Sequence, residues 1–231
     1  MRTLLTSAFS WLLAVQLAPL CGTLNGAGMS VGQVLGKIEA RGKTLRSMSA
    51  KIRQKKWTDI LQEFDAGESG RFLFFKKGRK VYLRRDLTSP QESSLVIRDG
   101  RLLFYQPAIK QAQKHDLGQN RDKAEFLLIG FGSSRKSLEE TYVTRLSGRE
   151  LLGGHNAYVL ELTPRSDRVA AFFSRIVLWV DPEMWVPVQQ KLVEPTEDYL
   201  LVEFSDIQLN PKISESDFRL KLPKDVKIVG N

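Results

Sequence analysis

The spacing of hydrophobic positions changes character along the chain. Val31, Val34, Leu35 and Ile38 recur at helical spacing behind Ser30, a residue type that caps helix N-termini. A short amphipathic helix is therefore expected, with Gly42 as its stop. From Met48 the period falls to two: Met48, Ala50 and Ile52 alternate with Ser49, Lys51 and Arg53. Turn chemistry follows at Asp65-Ala66-Gly67 and Glu68-Ser69-Gly70, a strand at residues 71–75, a turn at Lys77-Gly78 and a strand at 81–85. Leu95-Val96-Ile97 runs into Asp99-Gly100, a strong hairpin signal, and residues 102–105 return. Strands joined by such short turns are antiparallel. Residues 111–137 break the pattern, with Asn120 placed to cap a helix bearing Phe126, Leu127, Leu128 and Ile129, ended by Gly130 and Gly132. Five strand-like runs follow, at 142–146, 157–162, 176–180, 186–193 and 199–207. They are interrupted at 164–174, where Ala170, Ala171, Phe172 and Phe173 cluster. A last short strand is expected at the C-terminal end.

About ten strands and two or three short helices, with no regular alternation between them, argue against a doubly wound sheet. The expectation is a mainly β fold: one large, strongly curved antiparallel sheet without obvious closure, its concave apolar face capped by short helices. No repeat or low-complexity linker divides the chain.

The N-terminal stretch reads differently. Arg2 is the one charge before Lys37, and residues 4–20 are mostly apolar. That run is a little short of the ~20 residues a membrane span needs. Small residues follow, and Gly26-Ala27-Gly28 suits cleavage, so residues 1–28 are expected to be a secretory signal peptide and 29–231 one domain of an exported, periplasmic protein. The single cysteine, Cys21, lies inside the signal; the large Leu20 before it argues against lipid attachment. A thiol-free exported domain suits an oxidising compartment.

The chain has 35 Lys+Arg against 26 Asp+Glu, a net charge of +9. Residues 76–85 concentrate six positive charges. Export and the lack of an aromatic RNA-binding signature argue against nucleic acid. A solvated sheet surface remains open, as does docking on an anionic membrane surface or acidic partner. Lys80, Arg84 and Arg85 are the candidate docking residues. Catalytic chemistry is thin. Gly130-Phe131-Gly132-Ser133-Ser134 has glycine and serine in the wrong order for a nucleophile elbow. No Walker loop, dinucleotide fingerprint, C-x-x-C or H-E-x-x-H occurs. His115 and His155 read as surface-loop histidines, and the adjacent acidic pairs Glu139-Glu140 and Glu197-Asp198 point to opposite strand faces. No enzyme activity, cofactor or metal is expected.

Aromatic and aliphatic residues carry more information. Phe72, Phe74, Leu103, Tyr105, Trp179, Val202 and Phe204 occupy alternate strand positions. Such stripes are usually core, but a large sheet under a thin helical cover tends to leave an apolar cavity. In order and spacing, the chain resembles the periplasmic outer-membrane lipoprotein carrier family. The resemblance rests on Gly70-Arg71-Phe72-Leu73-Phe74 followed by Lys76-Lys77, on the hairpin from Val96 through Asp99-Gly100 to Pro107, on Phe126-Leu127-Leu128 as an internal lid, and on the C-terminal run with Pro182, Pro187, Phe204, Phe218 and Leu222-Pro223.

That resemblance implies an incomplete β-barrel with a helical lid. It also implies a non-catalytic, monomeric carrier that binds lipoprotein acyl chains. Such a carrier takes its cargo from an ATP-driven inner-membrane exporter and hands it to an outer-membrane receptor. A 16-carbon chain left in water costs on the order of 12 kcal/mol, hence the need for a carrier. Phe72, Phe74, Leu103, Tyr105, Trp179 and Phe204 are then the expected cavity wall, with Phe126, Leu127 and Phe172 as lid. The family's first basic strand usually ends in Arg-Pro, its arginine latching the lid. Here Lys76-Lys77-Gly78 stands in that place, leaving Lys77 or Arg79 as the expected latch. Carriage of another lipid, and an envelope-sensing module on the same half-barrel, are the alternatives.

Overall fold

The computed structural model describes residues 28–78, 80–117, 129–131 and 134–230. Most of the expected signal peptide with Cys21, the helix expected from Asn120, the lid residues Phe126 and Leu127, the candidate latch Arg79, and Gly132 and Ser133 lie outside them.

The chain enters through α1 (Val31–Thr44). Ser30 Oγ accepts the Gln33 N–H at 3.3 Å and Gln33 Oε1 accepts the Ser30 N–H at 2.8 Å, a reciprocal cap. Gly42 does not stop the helix. It is buried within it, and the helix ends where Leu45 turns into the core with its N–H on Arg41 O.

The strands are β1 (Ser47–Thr58), β2 (Glu63–Phe64), β3 (Glu68–Lys77), β4 (Lys80–Ser89), β5 (Ser93–Arg98), β6 (Arg101–Gln106) and β7 (Gln111–Asp116). After α2 (Arg135–Thr141) come β8 (Tyr142–Leu152) and β9 (His155–Pro164), then α3 (Asp167–Ala170), β10 (Arg175–Val180), β11 (Pro187–Val193), β12 (Tyr199–Leu209) and β13 (Lys227–Val229). They form one sheet in the order β13-β7-β6-β5-β4-β3-β1-β12-β11-β10-β9-β8, with β2 beside β1. Every pairing is antiparallel except that of β13 with β7. The outermost strands β13 and β8 are not paired with each other, so the barrel is open, as expected.

Local chemistry sets the turns. Asp99 and Gly100 have φ of 51° and 75°, the left-handed pair that a two-residue hairpin turn between twisted strands requires. Gly70 lies at a bulge where a β-carbon would collide with the Asp86 carbonyl. Two strands, β2 and β7, were not expected, whereas the short strand expected at the C-terminal end is β13. β7 reads Gln-Ala-Gln-Lys-His-Asp and buries only Ala112, so its polar sequence hides a strand held by ladder bonds to β6. β2 and β13 are two and three residues long.

Two apolar clusters cover the concave face. One joins the inner residues of β1, β3, β4 and β12. The other joins β8 to β11 with α1 and α2 through Val34, Leu35, Ile38 and Leu138, and Leu200 touches both. Beyond β12 the chain runs back across the convex face. Phe218 is buried there against Leu73, Tyr82 and Val96 before β13 reaches β7.

Candidate functional site

Strand parity builds the site. On β1, Met48, Ala50, Ile52 and Gln54 face inward. On β3 they are Phe72 and Phe74, on β4 Leu83 and Leu87, and on β12 Leu200, Val202 and Phe204. Register aligns them: Ala50 stands opposite Phe72, and Ile52 opposite Phe204. Onto this wall fall Leu117 and Phe131 from either side of residues 118–128, together with Val186. The Phe131 ring centroid lies 5.5 Å from that of Phe72 and 5.3 Å from that of Phe204, and the latter two are 5.3 Å apart. Three phenyl rings thus plug the space between the walls, in tilted and edge-on contacts that aromatic pairs favour. The cavity left beside them, bounded by Ile52, Leu83, Leu95, Val202 and Phe204, holds about 30 Å³. That is room for about one water molecule and not for an acyl chain. In this structure the trough is filled.

The plug is held through its backbone. Gln190, 3% exposed on the inner face of β11, donates its Nε2–H to the Ile129 carbonyl at 2.9 Å. Gly130, at φ 87°, lies so close to the Pro187 ring that no side chain fits.

Of the expected wall residues, Phe72, Phe74 and Phe204 stand together on the concave face. Leu103, Tyr105 and Trp179 do not. Leu103 pairs with Val96, whose side chain joins the convex cluster around Phe218. Tyr105 lines a groove of about 560 Å³ on the convex side with Arg84, Asp86 and Arg219. Trp179 packs outward with Val177 and Ala157 and donates Nε1–H to Glu150 at 2.7 Å, while Ile176, Leu178 and Val180 face inward. The cause is common to all three. β6 reads Leu-Leu-Phe-Tyr at 102–105, and β10 is buried on both faces, so alternation gives no parity there.

Of the expected lid and latch, Phe172 and Lys77 lie within the described residues. Phe172 is 43% exposed just after α3, next to Phe173, which packs against the helix-covered cluster. Lys77 Nζ binds Glu215 Oε1 at 2.7 Å on the convex strap. Its parity on β3 is opposite to that of Phe72 and Phe74.

The basic run divides by parity too. Lys80 projects outward and pairs with Asp99 at 2.9 Å. Arg84 pairs with Asp86 at 2.7 Å and donates to the Asp217 carbonyl at 2.7 Å. Arg85 turns the other way, between Leu83 and Leu87, into the cavity wall. It is therefore not a docking residue. Nη1 donates to Gln54 Oε1 at 3.0 Å, and Gln54 in turn donates Nε2–H to Glu68 Oε2 at 2.5 Å. Burial lowers the Arg85 pKa from its ordinary value, and nearby Glu68 acts against that shift.

Phe131, Gln190, Gln54 and Arg85 were not anticipated as inner-face residues. Gln54 and Arg85 each follow an inward apolar position by two residues, and Gln190 precedes one, Leu192, the signal that places a polar side chain indoors. Phe131 announces itself only as an aromatic flanked by two glycines.

Elsewhere, Ser134 Oγ accepts the Ser137 N–H as the cap of α2. His155 Nδ1 lies 2.9 Å from Asp181 Oδ2, while Asp181 Oδ1 accepts the Glu183 and Met184 N–H groups and closes the turn after β10. Among the described residues, no group of three or more His, Cys, Asp or Glu could hold a metal ion, and no helix is long and apolar enough to cross a membrane.

Comparison with known proteins gives the arrangement a family. The family model described as "Outer membrane lipoprotein carrier protein LolA" matches residues 43–221, from the end of α1 into the convex strap. Among solved structures, an uncharacterized conserved protein from Thermus thermophilus superposes with a TM-score of 0.54 at 12% identity, over 86% of this chain and 97% of its own. The structure of MucB superposes with a TM-score of 0.52 at 15% identity, over 82% of this chain. The aligned part is 62% of the MucB chain, and at such identities both likenesses concern the fold alone. No curated protein matches at the sequence level.

Proposed function

The chain belongs to the LolA family of outer membrane lipoprotein carrier proteins, and on that premise we propose that it is an exported periplasmic carrier that shelters lipoprotein acyl chains. It binds without catalysis, receiving cargo from an ATP-driven inner-membrane exporter and yielding it to an outer-membrane receptor. The observation that carries this reading is the phenyl ring of Phe131, borne by a loop and seated between the walls of the sheet. Phe131 fills an otherwise apolar trough between Phe72 and Phe204 and is tied down through Gln190 and Ile129.

Magnitudes define how such a carrier works. Expelling the phenyl ring forfeits roughly 1.5–3 kcal/mol of burial, and releasing the Gln190 bond about 1 kcal/mol more. A 16-carbon chain gains on the order of 12 kcal/mol on leaving water. The plug therefore weakens binding by a fraction of its strength, in the manner of a conformational tax. Release then needs an acceptor that covers the chain as it emerges. The outward-facing Lys80 and Arg84 are placed to help align such a partner, although both already hold carboxylates.

Purification of the native protein from the periplasm, followed by mass spectrometry of what accompanies it, tests the reading. Acylated lipoproteins are expected. A different lipid in their place would favour the carriage of other hydrophobic ligands, and a protein that neither carries lipid nor binds a fluorescent fatty-acyl probe would overturn both.

A further inference from the structure

Arg85 departs from the charge pattern of the strands around it. Lys77, Lys80, Arg84, Arg145 and Lys110 each reach a carboxylate: Glu215, Asp99, Asp86, Glu161 and Asp225 respectively. Arg85 forms no ion pair among the described residues. Its side chain points into the apolar trough, opposite Phe72 on β3 and Leu95 on β5. A guanidinium carries five N–H donors and stays charged. Here Nη1 is used on Gln54, whereas Nε is buried with no hydrogen-bond acceptor. The nearest acid is engaged elsewhere, since Glu68 Oε2 receives the Gln54 amide. That bond fixes the orientation of the Gln54 amide, leaving its oxygen for Arg85. The guanidinium is thus held in place by a neutral group, with the Glu68 carboxylate near enough to favour its charge but not in direct contact, at the wall of the cavity and next to its free space.

A buried guanidinium N–H without an acceptor is costly, and a carboxylate or phosphate oxygen at that point relieves the cost with short, charge-assisted bonds. We propose that Arg85 is the internal anchor of the cavity and selects an amphiphile whose acyl chain ends in, or adjoins, an oxyanion. The head group meets Nε of Arg85, and the chain runs along Ile52, Val202 and Phe204 into the space that Phe131 vacates. This rests on the carrier reading in its broader form, a lipid held in the trough: the ester- and amide-linked chains of a lipoprotein carry no oxyanion, so an anchor at Arg85 favours the alternative cargo, a free anionic lipid.

The test is a competition for a bound fluorescent acyl probe by four ligands of one chain length: palmitate, hexadecyl phosphate, methyl palmitate and hexadecanol. For the parent protein, an anionic ligand should compete about tenfold or more better than the two neutral ones, the worth of a hydrogen bond to a charged group. Whether palmitate or the phosphate leads identifies which oxyanion fits. In Arg85→Met, which keeps the volume, and in Arg85→Gln, the ratio of anionic to neutral affinity should fall close to one, with folding checked by urea unfolding. The parent-protein comparison stands even if neither variant folds. Equal competition by all four ligands would overturn the anchor and leave the carrier standing, and so would an anionic preference that survives both substitutions. If no ligand competes and no probe binds, the carrier reading falls and the anchor with it.

Discussion

The two halves of the concave face carry similar strands under different covers. Over β8 to β11 lie α1 and α2, which bring Val34, Leu35, Ile38 and Leu138 down together onto Leu160, Leu162, Ile176 and Leu178. Arg41 Nε pins α1 further by donating to the Met184 carbonyl at 2.7 Å. Over β1, β3, β4 and β12 there is no such helix among the described residues. Leu117, Phe131 and Val186 do the covering as single side chains projected from loops. A helix presents a stripe whose members move together; a loop presents side chains that leave one at a time. On the proposed reading, the first half stays shut and the second opens without dismantling the sheet.

Substitutions can break that division, and the largest effect belongs to the shut half. Leu160→Ala, at a fully buried position, should cost about 2–5 kcal/mol in urea unfolding, with acyl-probe binding falling only as far as the folded fraction does. Loss of binding in the protein that remains folded would mean that both halves serve the ligand. Phe131→Ala comes next. A plug from a loop can collapse inward when trimmed, so its cost should be below the ~3–5 kcal/mol expected for Phe74→Ala, while probe affinity rises. A Phe131 variant as damaged as the Phe74 one, with affinity unchanged, would make the trough an ordinary core. Gln190→Leu should cost about 1 kcal/mol or somewhat more, because the Ile129 carbonyl is left buried and unpaired. Stopped-flow uptake of the probe should be faster in this variant than in the parent.

The smallest effect sharpens the question of the latch. The Lys77 hydrogen bond holds the Glu215 pKa below its ordinary value of 4.5. A lowered carboxylate pKa adds stability above the unfolded value, and that stability is lost as pH falls through the folded one. Lys77 is itself raised above 10.5 by Glu215, so its share fades only in strong base. The urea midpoint should therefore be level around neutrality and dip slightly as pH falls below about 4.5, and Lys77→Ala should flatten that dip. The same variant should leave probe uptake at the parental rate. If uptake instead quickens as it does for Gln190→Leu, the latching role returns to Lys77.

How much of this the sequence discloses depends on whether a strand has two different faces. Met48, Ala50 and Ile52 alternate with charged or hydroxyl neighbours, so the orientation of β1 is legible, and Phe72 and Phe74 inherit it through pairing. Leu102 to Tyr105 and Ile176 to Val180 are apolar at every step because the convex face is also covered, by Phe218 and its neighbours on one side and by the Ala157–Trp179 cluster on the other. Period two vanishes there, and Leu103, Tyr105 and Trp179 are assigned by chance. Arg85 is misread for the opposite reason. It lies in a dense basic run, where charge suggests solvent, yet its two-residue spacing from Leu83 and Leu87 already places it indoors. The latch is illegible because it joins a side chain to a backbone carbonyl, and any residue supplies the carbonyl.

The pairing of β1 with β12 has a further consequence, for the order in which the molecule is made. Ser47 Oγ donates to the Pro211 carbonyl across 164 residues of sequence, and β12 sits between β1 and β11 at the centre of the sheet. Local hairpins such as β5–β6 and β8–β9 can form as soon as their residues exist. The junction between the two halves must wait for β12, almost the last strand to be synthesised. Until then β1 and β11 each present a bare, apolar-faced edge, the kind of surface that recruits other chains. Pairing so distant in sequence belongs to topologies that fold in milliseconds to seconds, and a chain truncated before Tyr199 would be two half-sheets with nothing to join them.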